Sequence, residues 1–113
     1  MIAPSIFQGE NAMQTFILLT RLSPEALKSP SSMEDFEKRA VRHIKQECPD
    51  VTWLQSYALL GPYDYLDIFT APDMNAALKV SAIIRTFGRA HSEVWGATDW
   101  SGFKAILHSL PSQ

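Results

Sequence analysis

Residues 51–70 read VTWLQSYALLGPYDYLDIFT, and this stretch decides the fold. Its first part (51–60) and its last part (65–70) are short apolar runs rich in β-branched and aromatic residues, which is typical of strands. The segment GPYD (61–64) separates them, and proline suits the second position of a type I turn. The stretch therefore predicts two antiparallel strands joined as a hairpin.

An amphipathic helix is predicted on each side of this hairpin. Ser32 is a suitable N-cap for the first helix, which is expected to run to about Glu47 before Pro49 ends it. Asp73 is a suitable N-cap for the second helix, which Gly88 is expected to close. Apolar residues repeat at helical spacing in both, so each helix should turn one face to the core. These residues are Met33, Phe36, Ala40, Val41 and Ile44 in the first helix and Ala77, Val80, Ile84 and Phe87 in the second.

Two outer strands and a short terminal helix complete the pattern. Residues 14–22, QTFILLTRL, and residues 91–98, HSEVWGAT, are predicted to be the first and last strands. Residues 101–110, SGFKAILHSL, are predicted to form a short amphipathic C-terminal helix. The order strand, helix, hairpin, helix, strand is that of the ferredoxin-like βαββαβ unit. We therefore expect an α+β domain with a four-stranded antiparallel sheet and two helices on one of its faces.

Length and composition indicate one globular domain. A chain of 113 residues is long enough to bury one core and too short for two. Hydrophobic residues make up 46% and charged residues 19%, whereas disordered chains have fewer apolar side chains and a higher net charge. We expect residues 1–12 to be a flexible N-terminal extension and residues 13–113 to form the domain.

Charge and apolar patterning restrict the partners and the compartment. Ten Lys and Arg against twelve Asp and Glu give a net charge of -2, so a nucleic-acid partner is not expected. Residues 1–12 lack the basic start and the apolar run of a signal peptide, and no apolar run reaches the roughly 18 residues that a membrane span requires. The sequence therefore predicts a cytoplasmic protein without membrane contact.

Metal, nucleotide and disulfide motifs do not appear in the sequence. His43, His91 and His108 fall on three different predicted elements without the spacing of metal ligands. The five glycines are too scattered for a phosphate-binding loop. Cys48 is the only cysteine and has no internal disulfide partner. We therefore expect no metal and no cofactor.

The sheet is expected to have one open face, because both helices pack on the other. Alternation along the strands divides their residues between the two faces. The residues predicted to face the helices are Phe16, Leu18, Leu54, Ala58, Leu66, Ile68 and Val94. Those predicted on the open face are Ile17, Leu19, Tyr57, Leu59, Tyr65, Asp67, Phe69, His91, Glu93 and Trp95. Because this face is largely apolar, we expect a homodimer in which the open faces of the two sheets pack together. Polar side chains between the two sheets could line a small-molecule pocket.

Polar and aromatic residues of these strands are candidate site residues. Asp67 lies between apolar neighbours, where a carboxylate is costly unless it is paired or wet. His91 and Glu93 share a face at a two-residue spacing, which suits proton transfer or ordinary cross-strand pairing. Arg21 is a candidate for a salt bridge or for binding an anion. The candidates for a ligand pocket or a dimer face are Arg21, Tyr57, Tyr65, Asp67, Phe69, His91, Glu93 and Trp95, and those for catalysis are His91, Glu93 and Asp67.

The turn within the hairpin allows two interpretations. The carboxylate of Asp64 can act as a proton acceptor beside a pocket, or it can hydrogen-bond the backbone amides of the turn. Residue types alone do not decide between these roles, and both are kept. The complete turn motif is Gly61, Pro62, Tyr63 and Asp64.

The same turn carries a resemblance to a known family. The matching segments are LLTRLSPE (18–25), LGPYD (60–64), APD (71–73) and SE (92–93). Together they resemble the GYD domain family over roughly Phe16 to Glu93. This resemblance implies a ferredoxin-like fold of the dimeric α/β-barrel type, and it implies no particular activity. The chain differs from the usual pattern in its N-terminal extension, in the SPSS segment (29–32), and in Trp95 and Trp100.

Three functions are compatible with these patterns. The first is a homodimeric binding or structural module that holds a small molecule between its sheets. The second is a cofactor-independent enzyme similar to the monooxygenases or isomerases built on dimeric α/β barrels, with His91 as base and Glu93 or Asp67 as the group that orients it. The third is an interaction subunit that adds an edge strand or its C-terminal helix to a larger enzyme, and exposure of Phe103 and Leu107 would support it.

Overall fold

A computed structural model of the chain describes residues 12–111 as four strands and three helices. The expected flexible extension (1–12) therefore lies outside the described residues except for its last residue. The strands are β1 (Gln14–Arg21), β2 (Thr52–Ala58), β3 (Tyr65–Ala71) and β4 (His91–Ala97), and the helices are α1 (Pro30–Glu47), α2 (Met74–Phe87) and α3 (Trp100–Ser109).

The sheet is antiparallel throughout and has the strand order β2-β3-β1-β4. Helix α2 packs on β4, β1 and β3, and α1 packs beside α2 on the same face of the sheet. The opposite face carries no helix within residues 12–111. The predicted ferredoxin-like α+β fold is confirmed.

Helix α1 begins earlier than predicted. Ser29, and not Ser32, is its N-cap, because the Ser29 hydroxyl accepts a hydrogen bond from the Ser32 backbone N–H at 3.1 Å. Pro30 follows at the first helical position, where its missing N–H costs nothing and its fixed φ favours the helix. Residues 30–32, which were not expected to lie within the helix, therefore belong to its first turn.

The faces of β3 are the reverse of those predicted. Phe69 pairs with Phe16, Asp67 with Leu18, and Tyr65 with Thr20, and all six side chains lie beneath the helices. The expectation that Tyr65, Asp67 and Phe69 lie on the open face was therefore wrong. The large aromatic rings fill the space under the helices better than the smaller aliphatic residues do, so Leu66 and Ile68 lie on the open face.

An irregularity in β2 places Leu54 differently from the prediction. The register shifts between Trp53 and Gln55, so Leu54 falls at a bulge and is 56% exposed, although it was predicted to face the helices. Trp53 takes the position beneath the helices and stacks on Phe69 with 5.6 Å between ring centres. The larger ring thus displaces the leucine from the core.

Candidate functional site

A pocket of about 180 Å³ lies between α1 and the half of the sheet formed by β2 and β3. Its wall is mostly apolar, and five elements contribute to it. Three aromatic rings and two carboxylates are its distinctive features. The aromatic residues are Phe36, Trp53 and Tyr65, and the acidic residues are Glu37 and Asp67.

The aromatic side chains of the pocket are held by contacts with one another and with neighbouring residues. The rings of Phe36 and Tyr65 stack with 6.3 Å between their centres. The Tyr65 hydroxyl donates a hydrogen bond to the Met33 carbonyl in α1 at 3.1 Å. Trp53 stacks on buried Phe69 and donates its indole N–H to the Ser56 hydroxyl at 3.0 Å. The pocket is therefore preorganised, because its rings are fixed without a ligand.

Asp67 is the polar centre of the pocket. It lies in the middle of β3, opposite Ser56 on one side and Leu18 on the other. Burial raises the pKa of the Asp67 carboxyl above its ordinary value, and the charge of Glu37 raises it further, whereas the nearby Ser56 hydroxyl and Trp53 N–H lower it. A carboxylate in an apolar pocket with a raised pKa is a common feature of binding and active sites.

A second polar cluster, the Glu93 cluster, lies at one end of the open face. It consists of Arg21, Tyr63, His91, Glu93 and Trp95. The Tyr63 hydroxyl donates a hydrogen bond to Oε2 of Glu93, His91 Nε2 lies 3.2 Å from the same oxygen, and Trp95 Nε1 donates to Oε1 at 3.1 Å. These contacts, led by that of Tyr63, lower the pKa of the Glu93 carboxyl, and the hydrogen bond to Glu93 raises the pKa of Tyr63.

The remaining members of the Glu93 cluster pack around Tyr63. The Arg21 guanidinium carbon lies 5.5 Å from the centre of the Tyr63 ring, within cation–π distance. The rings of Tyr63 and His91 are stacked with 6.3 Å between their centres. Arg21 thus contacts an aromatic ring of its own chain, a contact that neither of its two predicted roles included.

The structure supports the structural interpretation of Asp64 and changes its partner. The Asp64 carboxylate accepts a hydrogen bond from the Leu22 backbone N–H at 2.8 Å, and its own N–H donates to the Thr20 carbonyl at 2.8 Å. Both bonds cross from the turn to the end of β1, whereas the sequence predicted bonds within the turn. Asp64 therefore fastens the hairpin to the first strand and holds the neighbouring Tyr63 against the open face.

The candidate residues are thus divided between two sites on opposite faces of the sheet. Tyr65 and Asp67 line the pocket, and Phe69 is buried beneath it. Asp67 cannot orient His91, because the sheet lies between them. Tyr57 pairs with Leu66, so its side chain lies on the open face as predicted, and the residue borders the pocket from edge strand β2. The open face also keeps Arg21, His91, Glu93 and Trp95.

Sequence reasoning missed three residues of these sites. Tyr63 was assigned to the turn motif alone, and strand alternation gives no signal for a turn residue. Phe36 was assigned to the core, yet its ring is also part of the pocket wall. Glu37 was not among the predicted site residues, although it lies at the pocket rim. The last two could have been found only from the spacing between α1 and the sheet.

The described residues offer neither a metal centre nor a membrane-crossing helix. No three His, Cys, Asp or Glu side chains in residues 12–111 are grouped to hold a metal ion. None of the helices in the same range is long and apolar enough to cross a bilayer. Cys48 is buried, and burial raises the pKa of its thiol while Lys79 acts in the opposite direction.

The strand order, the two helices on one face and the open sheet define a ferredoxin-like α+β domain. The family model of the GYD domain matches residues 16–107, so the chain belongs to the GYD domain family. The resemblance noted in the sequence is confirmed.

A solved structure with a similar fold is that of the leucine response regulatory protein (LrpA) of Mycobacterium tuberculosis. The two share 17% sequence identity with a TM-score of 0.53, over 85% of this chain and 56% of that chain. The chain thus spans just over half the length of this neighbour, and the similarity concerns the fold. Comparison with curated protein sequences gave no significant match.

Proposed function

We propose that the chain is a small-molecule-binding domain whose ligand site is the pocket between α1 and strands β2 and β3. The observation that carries this proposal is the position of Asp67, a carboxylate among aromatic rings in a preformed pocket. The Ser56 hydroxyl and the Trp53 N–H are neutral donors, so a ligand that enters the pocket can still supply a counter-charge to Asp67. The site differs from the one expected between two sheets, because Asp67 and Tyr65 lie under the helices.

Fragment binding tests this proposal. Amide chemical shifts of ¹⁵N-labelled protein are to be recorded with a set of neutral, cationic and anionic fragments the size of one ring. We expect shifts at residues of α1, β2 and β3 that line the pocket. Ala58→Phe, which places a large side chain at the pocket wall, should remove them.

The control for this experiment is Thr52→Phe. Thr52 is exposed at the start of the same strand and does not line the pocket, so the fragment shifts should persist in that variant. If no fragment of any charge shifts the pocket amides of the wild-type protein, the proposed function is wrong.

We also infer that the chain is a homodimer joined through its open sheet faces. Ile17 is central on this face, because β1 is an inner strand and Ile17 pairs with Ile68 and Trp95. Exposed apolar patches of this kind usually mark an interaction surface. A second copy is the partner proposed here, since a symmetric interface requires only one self-complementary surface.

The Glu93 cluster favours an interface over a catalytic role for this end of the face. Burying a carboxylate is costly unless hydrogen bonds satisfy it. Glu93 already has three donors from its own chain, from Tyr63, His91 and Trp95, so a partner can cover it without leaving an unpaired charge. The same contacts occupy the oxygens that an acid–base role for the His91–Glu93 pair would require.

Helix α3 adds a second apolar surface to the proposed dimer. It packs against no other element of residues 12–111, and Phe103 and Leu107 are 40% and 43% exposed. This exposure is what the hypothesis of docking through the C-terminal helix required. We assign α3 to the same assembly, in which its apolar side chains pack on the second copy.

Changing one residue of the open face tests the homodimer. Ile17→Lys is expected to raise the dimer dissociation constant at least tenfold, because it places a charge at the centre of the interface, and each tenfold change corresponds to about 1.4 kcal/mol. Sedimentation velocity at micromolar concentrations measures the change. Met74→Lys, at an exposed position at the start of α2 in the helix layer, is the control and should dimerise as the wild type does. A wild-type mass of 12.7 kDa at these concentrations would exclude the dimer.

A further inference from the structure

We propose that the pocket between α1 and the sheet takes a small organic cation, with an ammonium group on the carboxylate of Asp67 and a carbon skeleton among the aromatic rings. The inference rests on the proposed function and adds the chemical class of the ligand. The pocket, its charge and its ring arrangement each contribute an argument.

The charge of the pocket has one sign. Its titratable side chains are Glu37 from α1 and Tyr65 and Asp67 from β3, whereas β1, β2 and α2 contribute no charged side chain. Among the described residues, no Lys, Arg or His lines it. An anionic ligand would therefore meet repulsion from Asp67 and Glu37, whereas a cation supplies the counter-charge that the pocket lacks.

The aromatic wall suits the same ligand. A cation over the face of Trp, Tyr or Phe is attracted by the ring, and the interaction is stronger where water is excluded. Phe36, Trp53 and Tyr65 surround the space beside Asp67. An alkyl or aryl ammonium ion can satisfy the carboxylate and the rings together, whereas a neutral alcohol of the same shape offers Asp67 only one hydrogen bond and no charge.

The size of the pocket limits the ligand to a small molecule. Its volume of about 180 Å³ is below the roughly 300–1,000 Å³ of pockets that hold drug-sized ligands. One ring or a short branched chain with a single amine fits this space. Benzylammonium is therefore a suitable probe, and benzyl alcohol and benzoate match its ring with a neutral and an anionic group.

Calorimetric titration of the full chain with these three probes at pH 7 tests the proposal. We expect benzylammonium to bind at least tenfold more tightly than benzyl alcohol and benzoate to bind more weakly than both. Asp67→Asn should lower the affinity for benzylammonium at least tenfold and change the affinity for benzyl alcohol by less than twofold. Glu34→Gln removes the same charge from an exposed site that is ion-paired to Lys38, and should leave both affinities unchanged.

Acidification provides an independent measure of the same contact. Because burial raises the pKa of Asp67, benzylammonium binding should weaken at a higher pH than it would at an exposed aspartate. The Asp67→Asn variant should lose most of this pH dependence and keep only the smaller part that Glu37 contributes. If Asp67→Asn does not fold, as judged by circular dichroism, Glu37→Gln replaces it, since Glu37 is exposed at the pocket rim. Glu37→Gln should lower the affinity for benzylammonium two- to threefold and leave the affinity for benzyl alcohol unchanged.

The outcomes separate this inference from the proposed function. Equal affinity of benzylammonium and benzyl alcohol, or an equal loss of both in Asp67→Asn, would overturn the cation preference while leaving a small-molecule site. Tighter binding of benzoate would also overturn it. If none of the three probes binds and no fragment shifts the pocket amides, both the cation preference and the proposed function are wrong.

Discussion

Phe69→Ala is expected to lower the free energy of unfolding by about 3–5 kcal/mol, the usual cost of removing a buried aromatic ring. Phe69 is 0% exposed in the middle of the core. Its ring stacks between Phe16, at 5.7 Å between centres, and Trp53, at 5.6 Å. The cavity would therefore open between two rings that belong to strands on either side of β3 and that cannot close it without moving the sheet.

Urea unfolding followed by circular dichroism measures this change, at one fixed protein concentration because dimerisation would add to the apparent stability. Phe87→Ala is the matched control. Phe87 is 63% exposed and stacks on His43 at the helix surface, so its loss should cost less than about 1 kcal/mol. A small effect of Phe69→Ala on unfolding, with a large effect on dimer mass, would mean that the register predicted from the sequence was right after all.

The order of the elements could be predicted because each boundary has its own chemical signal. Asp73 and Gly88 mark the ends of α2 by capping, and both do so in the structure. The same logic placed the N-cap of α1 at Ser32, since serine at 29, 31 and 32 offers three similar caps. Pro30 decides among them, because it is favoured at the first position of a helix and Ser29 directly precedes it.

The register of β3 could not be predicted with the same rules. In YLDIFT, both alternating sets are largely apolar and only one contains a charged residue, so hydrophobic pattern alone assigns Asp67 to the face with more water. The structure instead places Asp67 beneath the helices, where Tyr65 and Phe69 on the same side of the strand are needed to fill the core. The residue that broke the pattern is the one at the centre of the proposed binding site, as is expected where function opposes folding.

The sequence predicted the contacts of the Glu93 cluster better than those of the pocket. His91 and Glu93 were paired correctly because a two-residue spacing on one strand fixes a common face. The pocket was missed because its wall comes from five elements, and its existence depends on the distance between α1 and β2. Periodicity along one element carries no information on such a distance.

Asp64→Ala is expected to lower the free energy of unfolding by about 2–3 kcal/mol, near the upper end of the range for hydrogen bonds to charged groups. The variant loses the bond from the Leu22 N–H to the Asp64 carboxylate and leaves that amide unpaired at the end of β1. The backbone bond from Asp64 to the Thr20 carbonyl remains, so the hairpin should stay closed while its attachment to β1 loosens.

Chemical unfolding and amide exchange distinguish this local effect from a general one. The Leu22 amide should exchange faster in Asp64→Ala, and Asp64→Asn should recover part of the stability because its side-chain oxygen still accepts the bond. Asp50→Ala, an exposed aspartate in the turn before β2, is the control and should change stability by less than about 0.5 kcal/mol. Because the turn also presents Tyr63 to Glu93, loosening it should weaken the proposed dimer as well. If Asp64→Ala is as stable as the wild type, the structural role is wrong and the alternative role of Asp64 as a proton acceptor is favoured.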